Sequence, residues 1–304
     1  MTPVTDGTAR PIPRVALHDG TSIPQMGFGT LNTLDLADAT AGNPDDAGAA
    51  RTISLAIDAG YRHFDSAQGY MSEAGVGMAL RESGLPREDF YVTSKLANNN
   101  HRPDDVRRSF DQTMDQLGLP YLDLFLMHWP LPTRYDGDYV STWRAMAELL
   151  ADGRVRSIGV SNFQPAHLDR IISETGIIPV VNQVEMHPKF ANAEVRAACA
   201  RYGIAIEAWA PLAQGRYLDD PVIGRIAAEV GRTPAQVMLR WHIEQGNIIF
   251  PMSSNSDRMR QNLAVLDFEL TGSHHGAISA LDQGEAGRNG PHPDKFDWIP
   301  ETAS

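Results

Sequence analysis

The chain has 304 residues, of which 42% are hydrophobic and 21% are charged. This composition is typical of a folded globular protein and excludes the disordered, collagen-like and coiled-coil classes. The 26 Lys and Arg residues against 38 Asp and Glu residues give a formal net charge of −12. The negative electrostatic field of such a protein repels nucleic-acid phosphates and anionic membrane surfaces. We therefore expect a small-molecule partner, and neither a nucleic acid nor a membrane.

The start of the chain and its cysteine content indicate the compartment. No apolar run approaches the roughly 18 residues of a membrane-spanning helix, and the first residues, MTPVTDGTARPIP, lack the apolar stretch of a signal peptide. This pattern predicts a cytoplasmic protein. Cys199 is the single cysteine, which excludes an internal disulfide and a multi-cysteine metal site.

The predicted elements begin with a β-hairpin over residues 15–23, around the Asp19-Gly20 turn signal. After it, short runs that favour strands alternate with amphipathic helical runs. This alternation is typical of βα units, which build a parallel sheet. Eight further strands are predicted, over residues 26–30, 62–65, 90–95, 122–128, 156–161, 180–183, 205–209 and 248–251.

The helical runs between these strands carry start and stop residues. Over residues 102–117, Pro103 lies in the first turn, apolar residues recur at helical spacing, and Gly118 follows as a stop. The other predicted helices are followed by a glycine or lie between the seventh and eighth strands. They cover residues 52–59, 164–174, 193–202, 221–230 and 233–245.

No linker or low-complexity tract divides the chain, so a single domain over residues 1–304 is expected. Eight strands with intervening helices in about 300 residues favour the α/β class, as a (β/α)8 TIM barrel with an N-terminal β-hairpin and two extra helices. The alternative is an open doubly wound sheet, which carries a GxGxxG fingerprint after a strand. The nearest match is Gly75 and Gly77, where Leu80 replaces the third glycine and no strand immediately precedes.

Three polar residues lie at the predicted C-terminal ends of barrel strands and a fourth lies in the loop after one of these strands, where TIM barrels place their chemistry. These residues are Asp65, Tyr70, Lys95 and His128. In one chemical mechanism, Tyr70 is the general acid or base beside Lys95, which Asp65 holds protonated. His128 orients a substrate oxygen. A free phenol has a pKa of about 10, and an ammonium about 4 Å away lowers it by roughly 3 units before desolvation acts against it.

Other catalytic motifs do not match. Residues 159–163, GVSNF, lack the final glycine of the GxSxG nucleophile elbow, and neither HExxH nor GxxxxGK[ST] occurs. A metal-dependent barrel hydrolase or isomerase stays an alternative because the chain has ten His and many carboxylates. Of the strand ends, only Asp65 and His128 carry good metal ligands, so no metal is expected.

Motifs along nearly the whole chain resemble the aldo-keto reductases. The resemblance rests on the runs GYRHFDSAQGYMSEAGVG, TSKL, YLDLFLMHWP, GVSNF, VNQVEMHP and QNLAVLDFEL. The tail LDQGEAGRNGPHPDKFDW resembles the bacterial diketogluconate reductase branch. The resemblance implies a monomeric single-domain barrel that transfers hydride from NADPH to the carbonyl carbon of aldehydes or ketones. It also implies that Asp65, Tyr70, Lys95 and His128 are the catalytic residues. A nicotinamide-binding module with a regulatory or structural role is the alternative within this family.

The resemblance further implies a cofactor site. Ser161, Asn162 and Gln183 hydrogen-bond the nicotinamide carboxamide, and Trp209 stacks on its ring. Residues 210–215 cover the pyrophosphate, and residues 251–262 hold the adenosine phosphate at a helix that begins near Ser256. The full implied set is Gly29, Thr30, Leu31, Asp65, Ser161, Asn162, Gln183, Trp209, Ala210, Pro211, Leu212, Gln214, Gly215, Phe250, Pro251, Met252, Ser253, Ser254, Arg258, Gln261 and Asn262.

The sequence departs from the family pattern at two functional places. Met252 stands where relatives commonly carry a Lys, so we expect NADPH to be preferred by a smaller margin, through Arg258 and Ser253, and NADH to be usable. Met71 follows Tyr70 where Gly is usual, and Ala97 stands where relatives often carry Trp; both changes alter the rim of the substrate pocket. The expected pocket walls are Leu31, Tyr70, Ala97, His128, Trp129 and Trp298.

Overall fold

The N-terminal hairpin is present in the computed structural model, which describes residues 11–31, 33 and 45–300. Strand β1 (Arg14–Ala16) pairs antiparallel with β2 (Ser22–Pro24), with Val15 opposite Ile23. At the turn, the backbone N–H and the hydroxyl of Thr21 both donate to Asp19 Oδ1, at 2.9 and 2.7 Å. The Asp19-Gly20 turn prediction is therefore confirmed.

Eight parallel strands form the sheet that follows, and neighbours along the chain are neighbours in the sheet. They are β3 (Phe28–Gly29), β4 (His63–Asp65), β5 (Tyr91–Leu96), β6 (Leu122–Met127), β7 (Val155–Ser161), β8 (Val181–Glu185), β9 (Ala205–Trp209) and β10 (Ile248–Ile249). Beside β3, Met26 pairs with Ile249, and the N–H of Gly27 donates to Ile249 O at 2.9 Å. These contacts join the first strand to the last, so the predicted TIM barrel is confirmed.

Ten α-helices lie within the described ranges, two more than a plain eight-fold barrel needs. They are α1 (Asp46–Ala59), α2 (Glu73–Glu82), α3 (Pro103–Leu117), α4 (Tyr139–Ala151), α5 (Pro165–Thr175), α6 (Ala193–Tyr202), α7 (Pro221–Val230), α8 (Pro234–Glu244), α9 (Ser256–Leu263) and α10 (Gly272–Ser279). Both α7 and α8 separate β9 from β10, as predicted. No helix in the described part of the chain is long and apolar enough to cross a membrane.

Three helices, α2, α4 and α10, are absent from the sequence prediction. Helix α2 contains Gly75 and Gly77, which lower helix propensity. The glycines serve packing, because a Cβ at Gly77 would lie 2.0 Å from Leu117 O of α3. Helix α10 contains two glycines and two histidines, and a capping box between Thr271 and His274 supports its first turn.

The hairpin closes the N-terminal end of the barrel. Leu17 and Ile23 pack in one buried cluster with Tyr91, Val181 and Ile248, which stand at the starts of their strands. This end is therefore filled with side chains, and the opposite end carries the open cavity.

Candidate active site

A cavity of about 540 Å³ opens at the C-terminal ends of the barrel strands. Asp65 and Ser161 end β4 and β7, Trp209 ends β9, and the loops after the strands supply most of the other walls. Its lining residues are Gly29, Thr30, Leu31, Asp65, Tyr70, His128, Trp129, Ser161, Asn162, Gln183, Trp209, Ala210, Pro211, Leu212, Gln214, Gly215, Phe250, Pro251 and Met252.

Lys95 lies completely buried below this cavity and joins Asp65 to Tyr70. Its Nζ donates to both carboxylate oxygens of Asp65, at 2.8 and 2.7 Å, and to Ser66 O at 2.9 Å. The same Nζ is 3.4 Å from the Tyr70 hydroxyl. The ring of His128 meets the ring of Tyr70 edge to face, with centroids 5.6 Å apart. The structure thus brings the four predicted catalytic side chains together.

The loop that carries Tyr70 is fixed by Gln68. The side-chain oxygen of Gln68 accepts from the N–H of Ala97 at 2.8 Å, and its Nε2 donates to Ser109 O and to Thr113 Oγ1, both at 3.1 Å. A short 3₁₀ turn over Gln68–Tyr70 then ends at Met71, which has a φ of 56°. The turn that carries Tyr70 is therefore held beside Lys95 by contacts of Gln68 to α3 and to the residue that follows β5.

The pKa of Tyr70 differs from the sequence expectation, in which Lys95 lowers it. Burial raises the pKa of Tyr70 and the Asp65 carboxylate adds to this, so the attraction of Lys95 does not bring it below the ordinary phenol value. Burial lowers the pKa of Lys95, but Asp65 and Tyr70 outweigh burial and leave it raised. Burial, with the charge of Lys95, lowers the pKa of His128 to about 3. Near neutral pH the site therefore holds a neutral phenol, an ammonium and a neutral imidazole.

Polar side chains on one wall of the cavity are connected by hydrogen bonds. Asn162, with a φ of 63°, donates from Nδ2 to His128 O at 2.9 Å, and its Oδ1 accepts from Trp209 Nε1 at 2.9 Å. Ser161 Oγ donates to Gln183 O at 2.8 Å. Asn162 Nδ2 also donates to Ser161 Oγ at 3.0 Å, so the four residues that the resemblance assigns to a nicotinamide lie in one connected wall.

Glu207, on β9, is a component of the site that the sequence analysis misses. Gln183 Nε2 donates to Asp65 Oδ1 at 3.0 Å and to Glu207 Oε2 at 2.9 Å, so one amide bridges the two carboxyl groups. Glu207 is fully buried, and its Oε1 has no hydrogen-bond partner among the described residues. The sequence offers one sign of this role, because Glu207 is an acidic residue inside the otherwise apolar strand β9.

The predicted phosphate-binding residues lie beside the cavity. Ser253 Oγ accepts from the N–H of Asn255 at 3.1 Å and from Arg258 Nε at 3.3 Å. Asn255 caps α9, since its Oδ1 accepts from the N–H of Arg258 at 2.9 Å. Arg258 is exposed and Met252 is half-buried. Five residues of the implied cofactor set are outside the cavity lining: Ser253, Ser254, Arg258, Gln261 and Asn262.

Two of the expected substrate walls do not line the cavity. Ala97 is buried behind Gln68. Trp298 is 60% exposed, and its backbone oxygen accepts from Asn98 Nδ2 at 2.9 Å. Trp129 does line the cavity and packs on Phe296, with ring centroids 4.1 Å apart. The tail therefore contributes to this wall through Phe296, behind Trp129.

Among the described residues, no three His, Cys, Asp or Glu side chains come together in an arrangement that could hold a metal ion. The metal-dependent alternative thus has no preformed ligand set in this part of the chain.

Comparisons with known proteins agree with this geometry. The sequence profile of the Aldo/keto reductase family matches residues 25–283. An aldo-keto reductase of Mycolicibacterium smegmatis is 46% identical over 286 residues, which cover 94% of this chain and 98% of the relative. Methylglyoxal reductase DkgA of Salmonella typhimurium is 41% identical over 285 residues, which cover 93% and 97%.

Solved structures show the same fold. The apo form of Gox0644 superposes with a TM-score of 0.87 at 38% identity, covering 95% of this chain and 100% of the other. A Bombyx mori aldo-keto reductase in complex with NADP gives a TM-score of 0.81 at 33% identity, covering 91% and 95%. The chain therefore belongs to the aldo/keto reductase family of NADP(H)-dependent oxidoreductases.

Proposed function

We propose that this protein reduces the carbonyl group of aldehydes or ketones with Tyr70 as the proton donor. One observation carries the assignment: the fully buried Lys95 ammonium contacts both the Asp65 carboxylate and the Tyr70 hydroxyl at the edge of an open cavity. A phenol backed by a cation can release its proton to a substrate oxygen because the cation stabilises the phenolate that remains.

The side chains around the cavity fit a dinucleotide cofactor. The amides of Asn162 and Gln183 match the donors and acceptors of a carboxamide, and the Trp209 indole offers an aromatic face. Arg258, Ser253 and the N-terminus of α9 supply the donors that a phosphate needs. When bound, NADPH supplies the hydride for the reduction.

Each catalytic side chain has one task in this proposal. Tyr70 keeps its proton at neutral pH because its pKa is raised, and it donates that proton as negative charge develops on the substrate oxygen. Lys95 stabilises the phenolate, and Asp65 keeps Lys95 in place. His128, neutral because its pKa is about 3, offers a ring N–H to the same oxygen without changing charge.

Turnover of NADPH with a nitrobenzaldehyde, in the presence and absence of a chelator, tests this function. We expect NADPH consumption to require the aldehyde and to continue unchanged with the chelator. Loss of activity on chelation would support the metal-dependent alternative. Binding of NADPH without any turnover, across a panel of aldehydes and ketones, would support a binding module instead. The name of the Salmonella relative makes methylglyoxal a suitable member of the panel.

The proposal includes three further expectations from the sequence. They are a single domain over residues 1–304, a monomeric state and a cytoplasmic location. The low cysteine content supports the location, since Cys199 is buried and free. Use of NADH as a second cofactor also belongs to the proposal, because Met252 lines the cavity where a cation is common in relatives.

A further inference from the structure

The carboxylate of Glu185, at the end of β8, holds the C-terminal tail against the barrel. Its Oε1 accepts from the N–H of Asn289 at 2.7 Å, and its Oε2 accepts from the N–H of Gly290 at 2.9 Å. His187 Nε2 lies 3.1 Å from Oε1. Burial raises the pKa of Glu185, but these hydrogen bonds outweigh burial and leave it below the ordinary value. A buried, ionised carboxylate thus fixes two successive residues of the tail.

The fixed tail residue Gly290 packs on the cavity residue Trp209. A Cβ at Gly290 would lie 2.6 Å from the far edge of the Trp209 ring and 3.1 Å from Glu185 Oε2. The ring is held on its other side, where Trp209 Nε1 donates to Asn162 Oδ1 at 2.9 Å. Any side chain at position 290 would therefore push the indole toward the cavity.

The neighbouring residue, Asn289, reaches the loop that covers one side of the cavity. Its Oδ1 accepts from Arg216 Nη1 at 2.6 Å and from the Tyr217 hydroxyl at 3.3 Å. These two residues directly follow Gln214 and Gly215, which line the cavity. The contact to Arg216 is exposed and the contact to Tyr217 is partly buried, and Asn289 Nδ2 also lies 2.9 Å from Nε2 of the fully buried His187.

We propose that Glu185, Asn289 and Gly290 form a tail clamp that sets the position of Trp209 and of loop 210–217, and so controls how tightly NADPH is held. The inference rests on the proposed function only in placing the cofactor beside Trp209. Glu185 and Gly290 position the aromatic ring, whereas Asn289 holds the loop closed. Loss of the Asn289 side chain should therefore loosen this loop and speed the release of NADPH.

Binding and release of NADPH by clamp variants test the proposal. Asn289→Ala removes the acceptor of Arg216 and Tyr217, and we expect a roughly 3- to 30-fold higher dissociation rate of NADPH in stopped-flow fluorescence, with a nearly unchanged association rate. Asn289→Asp keeps the acceptor oxygen of Arg216 and Tyr217 and loses only the Nδ2 contact to His187, so its dissociation rate should stay within about 3-fold of the original protein. Gly290→Ala should weaken NADPH binding about 10-fold or more and alter the tryptophan emission before any cofactor is added.

Two further variants separate the possible outcomes. Gly276→Ala is the matched control, because a Cβ at this helical glycine would meet nothing within 4 Å. Trp209→Ala shows whether NADPH binds beside this ring at all. If Trp209→Ala weakens binding while Asn289→Ala and Gly290→Ala release NADPH at the original rate, the clamp is refuted and the proposed function stands. If Trp209→Ala leaves binding unchanged, the assigned cofactor site itself is wrong.

Discussion

The substitution Glu207→Gln tests the charge state inside the barrel. Glu207 is fully buried, its Oε2 accepts from Gln183 Nε2 at 2.9 Å, and its Oε1 has no partner in the part of the chain that the structure describes. Burial, followed by the nearby charge of Asp65, raises its pKa from 4.5 to about 8. Glu207 is therefore a neutral acid at pH 7, and glutamine matches it in both shape and charge.

The raised pKa makes the native protein bind a proton that the unfolded chain has already lost. Between pH 4.5 and about 8, the free energy of unfolding should therefore fall as pH rises, because the native state carries the extra proton. The full shift corresponds to about 5 kcal/mol. Relaxation of the barrel and entry of water reduce this value, so we expect the Glu207→Gln protein to gain about 2 to 5 kcal/mol over the original protein between pH 5 and pH 8.

Urea denaturation of both proteins from pH 5 to pH 9 measures this difference. Other titrating groups are common to the two proteins and cancel in the comparison. An exposed residue, Glu82, provides the matched control, and Glu82→Gln should not reproduce the gain. A stability difference between the Glu207→Gln and original proteins that does not change with pH would show that Glu207 is ionised in the native state, and the reasoning would fail.

Three other predictions concern the catalytic cluster and the cofactor. Tyr70→Phe should bind NADPH normally but lower kcat by roughly 100-fold or more; near-normal turnover would refute the proton-donor role. Lys95→Met should raise the pKa of Tyr70 and largely abolish reduction. Because Asp65 raises that pKa, the alkaline limb of the kinetic pH profile should lie at lower pH in active Asp65→Asn enzyme. An unmoved limb would leave Asp65 a structural role. Met252→Lys should raise kcat/KM for NADPH by about 2- to 100-fold without changing kcat/KM for NADH. Arg258→Ala should make kcat/KM for the two cofactors nearly equal. If the preference for NADPH does not change in Arg258→Ala, the phosphate is bound elsewhere.

The barrel could be predicted from the sequence because its elements are defined locally. The strand predicted over residues 122–128 is Leu122–Met127 in the structure, and the one predicted over residues 205–209 is Ala205–Trp209. The hydrophobic periodicity did not predict helices in which tertiary packing determines the residue type. Gly77 weakens the helical pattern of α2, yet only a glycine fits against Leu117 O, and that contact is invisible along the chain.

In the site too, residues placed by local sequence could be predicted, and residues placed by tertiary contacts could not. Asp65 and Lys95 could be placed together because both stand at strand ends, and parallel strands of a barrel share one end. Glu207 could not be connected to them, because its link to Asp65 runs through Gln183 across the barrel interior. Trp298 is the converse case. It is expected in the pocket wall, but it is 60% exposed and does not line the cavity, because the tail follows an irregular path that has no periodic pattern.

The raised pKa of Tyr70 is compatible with catalysis because the useful interaction arises only as charge develops. At a separation of 3.4 Å, Lys95 Nζ stabilises a phenolate by about 5 kcal/mol at an effective dielectric constant near 20, and it has little effect on the neutral phenol. This stabilisation is therefore realised in the transition state and not in the resting protein. Burial, which raises the ground-state pKa, excludes the water that would otherwise screen the same charge. The buried ion pair with Asp65 keeps the ammonium in place for that step, and so the cluster acts on the proton transfer while the phenol stays protonated between turnovers.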